Sequence, residues 1–419
     1  MTYVRILIAL AASCIWPFYQ LDVKNAFLHG DLHEEIYMQP PLGLSHSSSH
    51  VCRLWKALYG LKQAPRVWFE KFQSTILSFG FHQSENDHAL FIHTSARGLI
   101  ALLLYVDDMI ITCDDLDCIH SVKSYLQQQF DKKDLGPLRY FLGIKVAYSP
   151  RGYILSQQKY TADLLSRAEL TDTGTVSTPM QLHQKLTPTM GEPLTNPTRY
   201  RELVGALVYL TISRPDIAYA VHIVSQFMQA PTSVHYVALL RILRYLRGSI
   251  HQSLFFSSSS KPQLRAYCDA DWAGDLTDRW STTGYCVFFG NSLISWRSKK
   301  QDIVAKSSTE AEYRAMSSAA SEIVWLRRLL GDLGVQCSTS TPLYCHNQSA
   351  IKIANNPVFH ERTKHIEIDR HFVRHYYING SISLPFIPSA QQLADFFTKS
   401  QTTQRHQYLL SKLSVFTSP

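Results

Sequence analysis

Ile100-Ala101-Leu102-Leu103-Leu104-Tyr105-Val106-Asp107-Asp108-Met109-Ile110-Ile111-Thr112 is the stretch on which the fold turns. Two apolar runs, 99–106 and 109–112, flank a pair of acids, which is the pattern of two buried strands around a tight turn. Carboxylates in such a setting are costly to bury unless something compensates them. Asp is common in hairpin turns, so the pair taken alone reads as ordinary turn chemistry. A divalent metal is the other source of compensation, and two ions about 4 Å apart can activate an attacking 3′-hydroxyl and stabilise a leaving oxygen in phosphoryl transfer. That chemistry needs a third acid nearby. Asp22, in Gln20-Leu21-Asp22-Val23-Lys24-Asn25-Ala26-Phe27, follows an apolar stretch and precedes a turn.

Outward from the hairpin, helical periodicity covers 66–79 and 119–130, so that 1–173 reads as an α/β or α+β layer. Residues 174–198 carry Pro179, Pro188, Pro193 and Pro197 among polar residues and read as a linker. From 199 to 256 the pattern is helical, with Pro215 and Pro231 separating helices. Arg241, Arg244 and Arg247 stand there at helical spacing, as suited to a solvated helix face as to a polyanion. After a polar break at 257–262, strands at 264–268, 285–289 and 293–296, a long helix at 309–333 and a strand at 343–345 indicate a sheet covered by helices over 263–400. Residues 401–419 read as a tail.

The chain has 419 residues, 45% of them hydrophobic, enough for two or three domains with cores and too apolar for a disordered polymer. Lys plus Arg number 41 against 33 Asp plus Glu, a surplus of +8 that leans weakly toward a polyanionic partner. The 8 cysteines form no CxxC pair and no dense framework, which indicates reduced thiols in the cytoplasm or nucleus. Residues 6–15, with Ala11-Ala12-Ser13-Cys14, imitate the apolar core and cleavage site of a secretory signal. The run is too short to span a bilayer and continues into Trp16-Pro17-Phe18-Tyr19, so a buried helix is expected and neither secretion nor a membrane partner is.

A second set of acids lies in the last block. Asp269, in Tyr267-Cys268-Asp269-Ala270-Asp271-Trp272, ends a predicted strand, Glu312 lies in the first turns of the long helix, and Asp395, in Leu393-Ala394-Asp395-Phe396-Phe397-Thr398-Lys399, is expected to open a C-terminal helix. Carboxylates at the ends of separate elements can converge on two metals that activate water against a phosphodiester. Singly, each is also a charge favoured at a helix start.

Leu21-Asp22-Val23-Lys24-Asn25-Ala26-Phe27-Leu28-His29-Gly30, Leu58-Tyr59-Gly60-Leu61-Lys62-Gln63-Ala64-Pro65-Arg66 and Tyr105-Val106-Asp107-Asp108 occur together and in order. The set resembles the reverse transcriptase of copia-type retrotransposon Pol polyproteins, and the resemblance runs over nearly the whole chain. It implies an α+β polymerase palm with a helical thumb-like segment, followed by an α/β ribonuclease H-like domain. Asp22, Asp107 and Asp108 would hold Mg²⁺, with Mn²⁺ as the alternative. Tyr59-Gly60 would approach the incoming deoxynucleoside triphosphate, and Phe27 would be the steric gate against a ribose 2′-hydroxyl. Phe141, Leu142 and Gly143 would grip the primer end. Asp269, Glu312 and Asp395 would be the metal-binding catalytic acids of the ribonuclease H, acting on an RNA–DNA hybrid. The partners implied are an RNA template, a DNA primer, that hybrid and deoxynucleoside triphosphates.

Two departures temper these expectations. The family's fourth ribonuclease H carboxylate should stand in Cys345-His346-Asn347-Gln348, where this chain has His346, a poor ligand for Mg²⁺. Met1 falls just before the helix leading into Asp22, so the upstream finger strands that hold the triphosphate in this family are not in the sequence. Both activities are therefore expected to be impaired, and the second reading is a noncatalytic nucleic-acid-binding relic. His360, His365, His371 and His375 lack accompanying cysteines and are interleaved with Arg362, Lys364, Arg370 and Arg374, which reads as a basic helix rather than a zinc site.

Overall fold

The acidic hairpin forms as its pattern dictates: strands Gly98–Tyr105 and Asp108–Cys113 pair antiparallel with Tyr105 opposite Asp108, leaving Val106 and Asp107 as a two-residue turn. The computed structural model describes residues 1–44, 50–95, 98–356 and 366–417. They fall into two units, Trp16–Arg139 with Asp332–Gly334, and Met1–Ile15, Tyr140–Gly331 and Val335–Pro419.

In the smaller unit the hairpin lies within a six-stranded antiparallel sheet, in the order His82–Gln83, Leu90–Ser95, Gly98–Tyr105, Asp108–Cys113, Phe18–Val23, Lys132–Pro137. Alternation along the strands directs Leu102, Leu104, Met109, Ile111, Leu21 and Val23 into one core with Trp68, Phe72 and Ile76 of helix Ala64–Ser78 and Ile119, Val122 and Leu126 of helix Leu116–Gln129. Pro65 sits in the first turn of the former helix, and the Asp115 carboxylate caps the latter by accepting from the Cys118 amide. Both helices match their predicted spans to within three residues.

The larger unit holds two five-stranded sheets and a helical core. One sheet runs Val415–Thr417, Gln252–Ser257, Gly152–Ser156, Ile144–Ser149, Tyr140–Phe141, all antiparallel. The other runs Ser292–Lys300, Thr282–Phe289, Leu264–Asp271, Thr341–Tyr344, Ile382–Ser383, antiparallel in its first three strands and parallel beyond. The long helix Ser308–Asp332 places Ala311 and Ala315 against Ala270 of that sheet, giving the helix-covered layer expected of 263–400. Helices Pro197–Leu210, Ala218–Ser225 and Ser233–Gly248 pack around Leu203, Leu207, Val221, Leu239 and Ile242. A three-residue turn of 3₁₀ helix at Pro215–Ile217 precedes the middle one, as the prolines indicated.

Several boundaries differ from those expected. The break at 173 does not exist, because strands Ile144–Ser149 and Gly152–Ser156 pair on toward Gln252–Ser257. Residues 174–198 are no free linker: Met180 and Leu186 are buried in the helical core. Residues 401–419 are no tail either, since they supply helix Thr403–Leu410 and the edge strand Val415–Thr417. Helix Thr2–Cys14 is buried as expected, from Val4 to Ala12, yet it belongs with the larger unit. Arg5 explains this, with its guanidinium 3.7 Å over the Trp296 ring and donating to the Ile212 carbonyl at 3.1 Å. No helix among the described residues is long and apolar enough to cross a membrane.

Candidate functional site

The expected palm acids meet at one end of the smaller sheet. Strands Phe18–Val23 and Asp108–Cys113 are in register with Asp22 directly opposite Asp108, an arrangement of like charges that destabilises a strand pair. Asp107 occupies the adjoining turn, whose carbonyl accepts from the Val23 amide at 2.9 Å. Burial, together with the charges of Asp107 and Asp22, holds the Asp108 carboxyl above the usual range, and a hydrogen bond at 3.1 Å from the Gln20 amide to Oδ1 opposes that rise. Val106 carries φ of 56°, a left-handed conformation unfavourable for a β-branched residue. Its carbonyl is fixed by the Trp68 indole N–H at 2.7 Å. All three acids are half-buried oxygen donors, which suits a hard ion such as Mg²⁺.

Phe27 and Tyr59, assigned to the nucleotide side, touch each other with ring centroids 4.6 Å apart. Gly60 adopts φ of +97°, open to glycine at no cost, with free space where a Cβ would stand. In the larger unit, Phe141 is buried and Leu142-Gly143 make the left-handed turn into strand Ile144–Ser149, with φ of 49° and 73°. Tyr209 donates its hydroxyl to the Leu142 carbonyl, and a Cβ on Gly143 would lie 2.7 Å from that hydroxyl. Only glycine satisfies both constraints.

The second acid cluster is drawn together more tightly. Among the described residues, Asp269, His346 and Asp395 each offer a ligand atom within 4.8 Å of the others. Asp269 is fully buried and accepts the Thr398 hydroxyl. Lys399 Nζ lies 3.2 Å from Asp269 and 2.8 Å from Asp395, and Arg405 adds a contact to Asp395 at 3.4 Å. His346 stands between Asp269, 3.3 Å from Nδ1, and Glu312, 3.1 Å from Nε2. The Glu312 partner and the nearby carboxylate charges, against the effect of burial, push the imidazole up to about 9. Burial lifts Glu312 to about 7, which the His346 contact partly offsets. A pair of Mg²⁺ ions does not fit this donor set, because an imidazole and an ammonium already sit among the carboxylates and cations repel the ions.

Two expectations about these surroundings need correction. Asp395 opens no helix; it lies in the 3₁₀ segment Leu393–Phe397, and helix begins again only at Thr403. The Arg241, Arg244 and Arg247 face is turned inward. Arg244 pairs with Asp172 at 2.7 Å, Arg247 bonds the Asp172 and Gly174 carbonyls, and Arg241 donates to Thr178 at 2.9 Å. His371 and His375 lie on helix Glu367–Ile378, whereas His360 and His365 fall outside the described residues.

Gln20, Trp68, Thr398 and Lys399 were not singled out from sequence. Gln20 was within reach, two positions before Asp22 and so on the same face of the strand, and Lys399 stands four residues after Asp395. Trp68 gave no signal beyond a core aromatic.

A family model for reverse transcriptase (RNA-dependent DNA polymerase) matches residues 1–182. The Retrovirus-related Pol polyprotein from transposon RE1 of Arabidopsis thaliana is 44% identical over 420 residues, which is 100% of this chain and 29% of that protein. A transposon Ty5-1 protein of Saccharomyces cerevisiae is 33% identical over 308 residues, 72% of this chain and 100% of that protein. The solved foamy viral protease–reverse transcriptase in complex with double-stranded DNA aligns over 89% of this chain and 68% of that chain, at 12% identity and a TM-score of 0.43. The chain thus spans under a third of the RE1 polyprotein's length.

Proposed function

Since the chain belongs to the reverse transcriptase family of copia-type retrotransposon Pol polyproteins, we propose that its smaller unit is a polymerase palm that adds deoxynucleotides to a DNA primer on an RNA template. The observation that carries this reading is the cross-strand pairing of Asp22 with Asp108 beside Asp107, a cluster of acids that costs stability and that a structural hairpin does not need. Asp22, Asp107 and Asp108 would hold Mg²⁺, or Mn²⁺, which when bound favours the ionised primer 3′-hydroxyl and offsets charge on the triphosphate.

The chain's own groups do the positioning. Gln20 orients Asp108, and Trp68 with the Val23 amide fixes the turn that carries Asp107. Phe27, braced by Tyr59, would crowd a ribose 2′-hydroxyl, and the Phe141-Leu142-Gly143 turn would hold the primer strand. The ribonuclease H-like half would lie along the RNA–DNA hybrid. Primer extension on an RNA template with Mg²⁺ tests the reading. Asp107→Asn and Asp108→Asn are each expected to lower extension at least about a hundredfold, roughly 2.7 kcal/mol of barrier. Extension that survives both substitutions would remove the palm assignment.

A further inference from the structure

In the larger unit, strands Ile144–Ser149 and Gly152–Ser156 pair with Lys145 directly opposite Ser156, and helix Gln158–Ala168 begins two residues later. The register thereby sets a lysine beside the start of a helix. Lys145, Ser156, Gln157 and Lys159 line a cavity of about 280 Å³ with Tyr140 and Tyr160, beside the Leu142-Gly143 turn, and no acidic residue shares its walls among those described. Both lysines are exposed and neither is held in an ion pair. The N-cap residue, Gln157, gives the helix no side-chain cap. The Gln158 amide donates to Ser156 Oγ at 3.2 Å and the Thr161 amide to the Gln157 carbonyl at 2.9 Å, whereas those of Lys159 and Tyr160 have no acceptor within the helix and leave its positive end open.

Gln157 adds an observation independent of the helix end. It is only 3% exposed, and its Oε1 accepts the Ser213 hydroxyl at 2.7 Å, yet its Nε2 is buried without a partner. A buried N–H lacking an acceptor is costly, which points to an acceptor that comes from outside the chain. The free groups around the cavity are donors: two ammonium groups, helix amides, a carboxamide N–H and the hydroxyl of Tyr140. Such a set accepts an anion rich in oxygen. A phosphodiester brings a single charge, whereas a phosphate monoester brings about 1.5 to 2 near pH 7 and so matches two lysines and a helix start. We propose that this cavity binds a phosphate monoester, with Lys145 and Lys159 supplying the counter-charge and Gln157 and the helix amides donating to its oxygens. A free nucleotide and the phosphorylated end of a nucleic-acid strand both carry that group. The site adjoins the turn assigned to the primer strand and does not rest on that assignment.

Inorganic phosphate and deoxyadenosine 5′-monophosphate are the probes, titrated calorimetrically into the full chain carrying Asp107→Asn and Asp108→Asn. Neither metal nor template is present, so failure of the polymerase reading leaves this one untouched. One nucleotide per chain is expected, with deoxyadenosine, which lacks the phosphate, bound at least about tenfold more weakly. Lys145→Gln and Lys159→Gln should each weaken the nucleotide at least about fivefold. Gln157→Glu keeps an acceptor for Ser213 but sets a carboxylate against the phosphate, and should weaken it at least about tenfold. Competition with a short DNA strand ending in a 5′-phosphate, and with the same strand ending in a 5′-hydroxyl, separates the sources. Displacement of the nucleotide by the phosphorylated strand alone assigns the site to strand ends, and displacement by neither assigns it to free nucleotides. Equal displacement by both strands would overturn the choice of a monoester. Binding unchanged in both lysine variants, or no binding of either probe up to about 10 mM, would overturn the site itself. Should Gln157→Glu not fold, the two lysine variants, both at exposed positions, decide the question alone.

Discussion

Phe27 shows how a single residue can be both core and gate. It packs against the cluster of Leu32, Ala57, Ala64 and Val67 and still presents its ring to Tyr59 at 4.6 Å. Phe27→Val keeps an apolar side chain but draws back its outer edge. Incorporation of ribonucleotides relative to deoxynucleotides is expected to rise at least about tenfold, roughly 1.4 kcal/mol of discrimination, in a competition assay with paired triphosphates. An unchanged ratio would return Phe27 to plain packing. Val106 poses the opposite question, since its φ of 56° suits Asn far better than a β-branched side chain. Val106→Asn should stabilise the chain by about 1 kcal/mol in urea unfolding, within the range for strained backbone. A loss of stability would mean that the Val106 side chain, itself 44% exposed, contributes packing that outweighs the strain.

Helix Ser233–Gly248 spends its basic face on its own chain. Arg241, Arg244 and Arg247 hold residues 172–178 through side-chain and carbonyl contacts, so these guanidinium groups are already engaged within the chain. Replacing Arg244 and Arg247 together by Ala should therefore leave the salt dependence of RNA–DNA hybrid binding unaltered in fluorescence anisotropy. Two lost phosphate contacts would instead flatten the slope of log K against log salt by about 1.8, and that result would restore the face as a binding surface. The same contacts explain why 174–198 was illegible. Proline and polar composition mark the absence of regular structure, but Met180 and Leu186 enter the helical core from coil, without a period to announce them. Val415–Thr417 was missed because three residues carry too little alternation to read, although Phe416 meets Phe255 across the strand pair at 5.3 Å. Elements with long periodic patterns, such as the acidic hairpin and helix Ser308–Asp332, were legible nearly to their ends.

At the scale of the whole chain, local acid motifs were readable and long-range charge compensation was not. Asp269, Glu312 and Asp395 stand out by their places at element ends and His346 by the family motif, whereas the positions of Lys399 and Thr398 on Asp269 follow from tertiary packing. The same holds for a buried network in the larger unit that no motif foreshadowed. Arg214 and Asp216 pair at 2.6 Å, both essentially without exposure, and Tyr245 donates to Asp216 at 2.7 Å. His406 closes the network, its Nε2 3.0 Å from the Tyr245 hydroxyl and its ring 4.9 Å from that of Phe396. Burial, reinforced by Arg214 and opposed by Asp216, pushes His406 down from 6.5 to about 4. Between those values the unfolded chain binds a proton at this position that the folded chain refuses, so stability falls as pH drops from 6.5 toward 4 and this contribution levels off below. Each tenfold weakening of proton affinity on folding corresponds to about 1.4 kcal/mol, which sets a ceiling of about 3 kcal/mol on the loss. Urea unfolding of the full chain at pH 7.5 and pH 4.5 is expected to show most of that loss, and His406→Gln, which cannot take up the proton, should shrink the difference between the two pH values by more than half. A pH dependence identical in His406→Gln would assign the acid sensitivity to another group and leave His406 a packing residue.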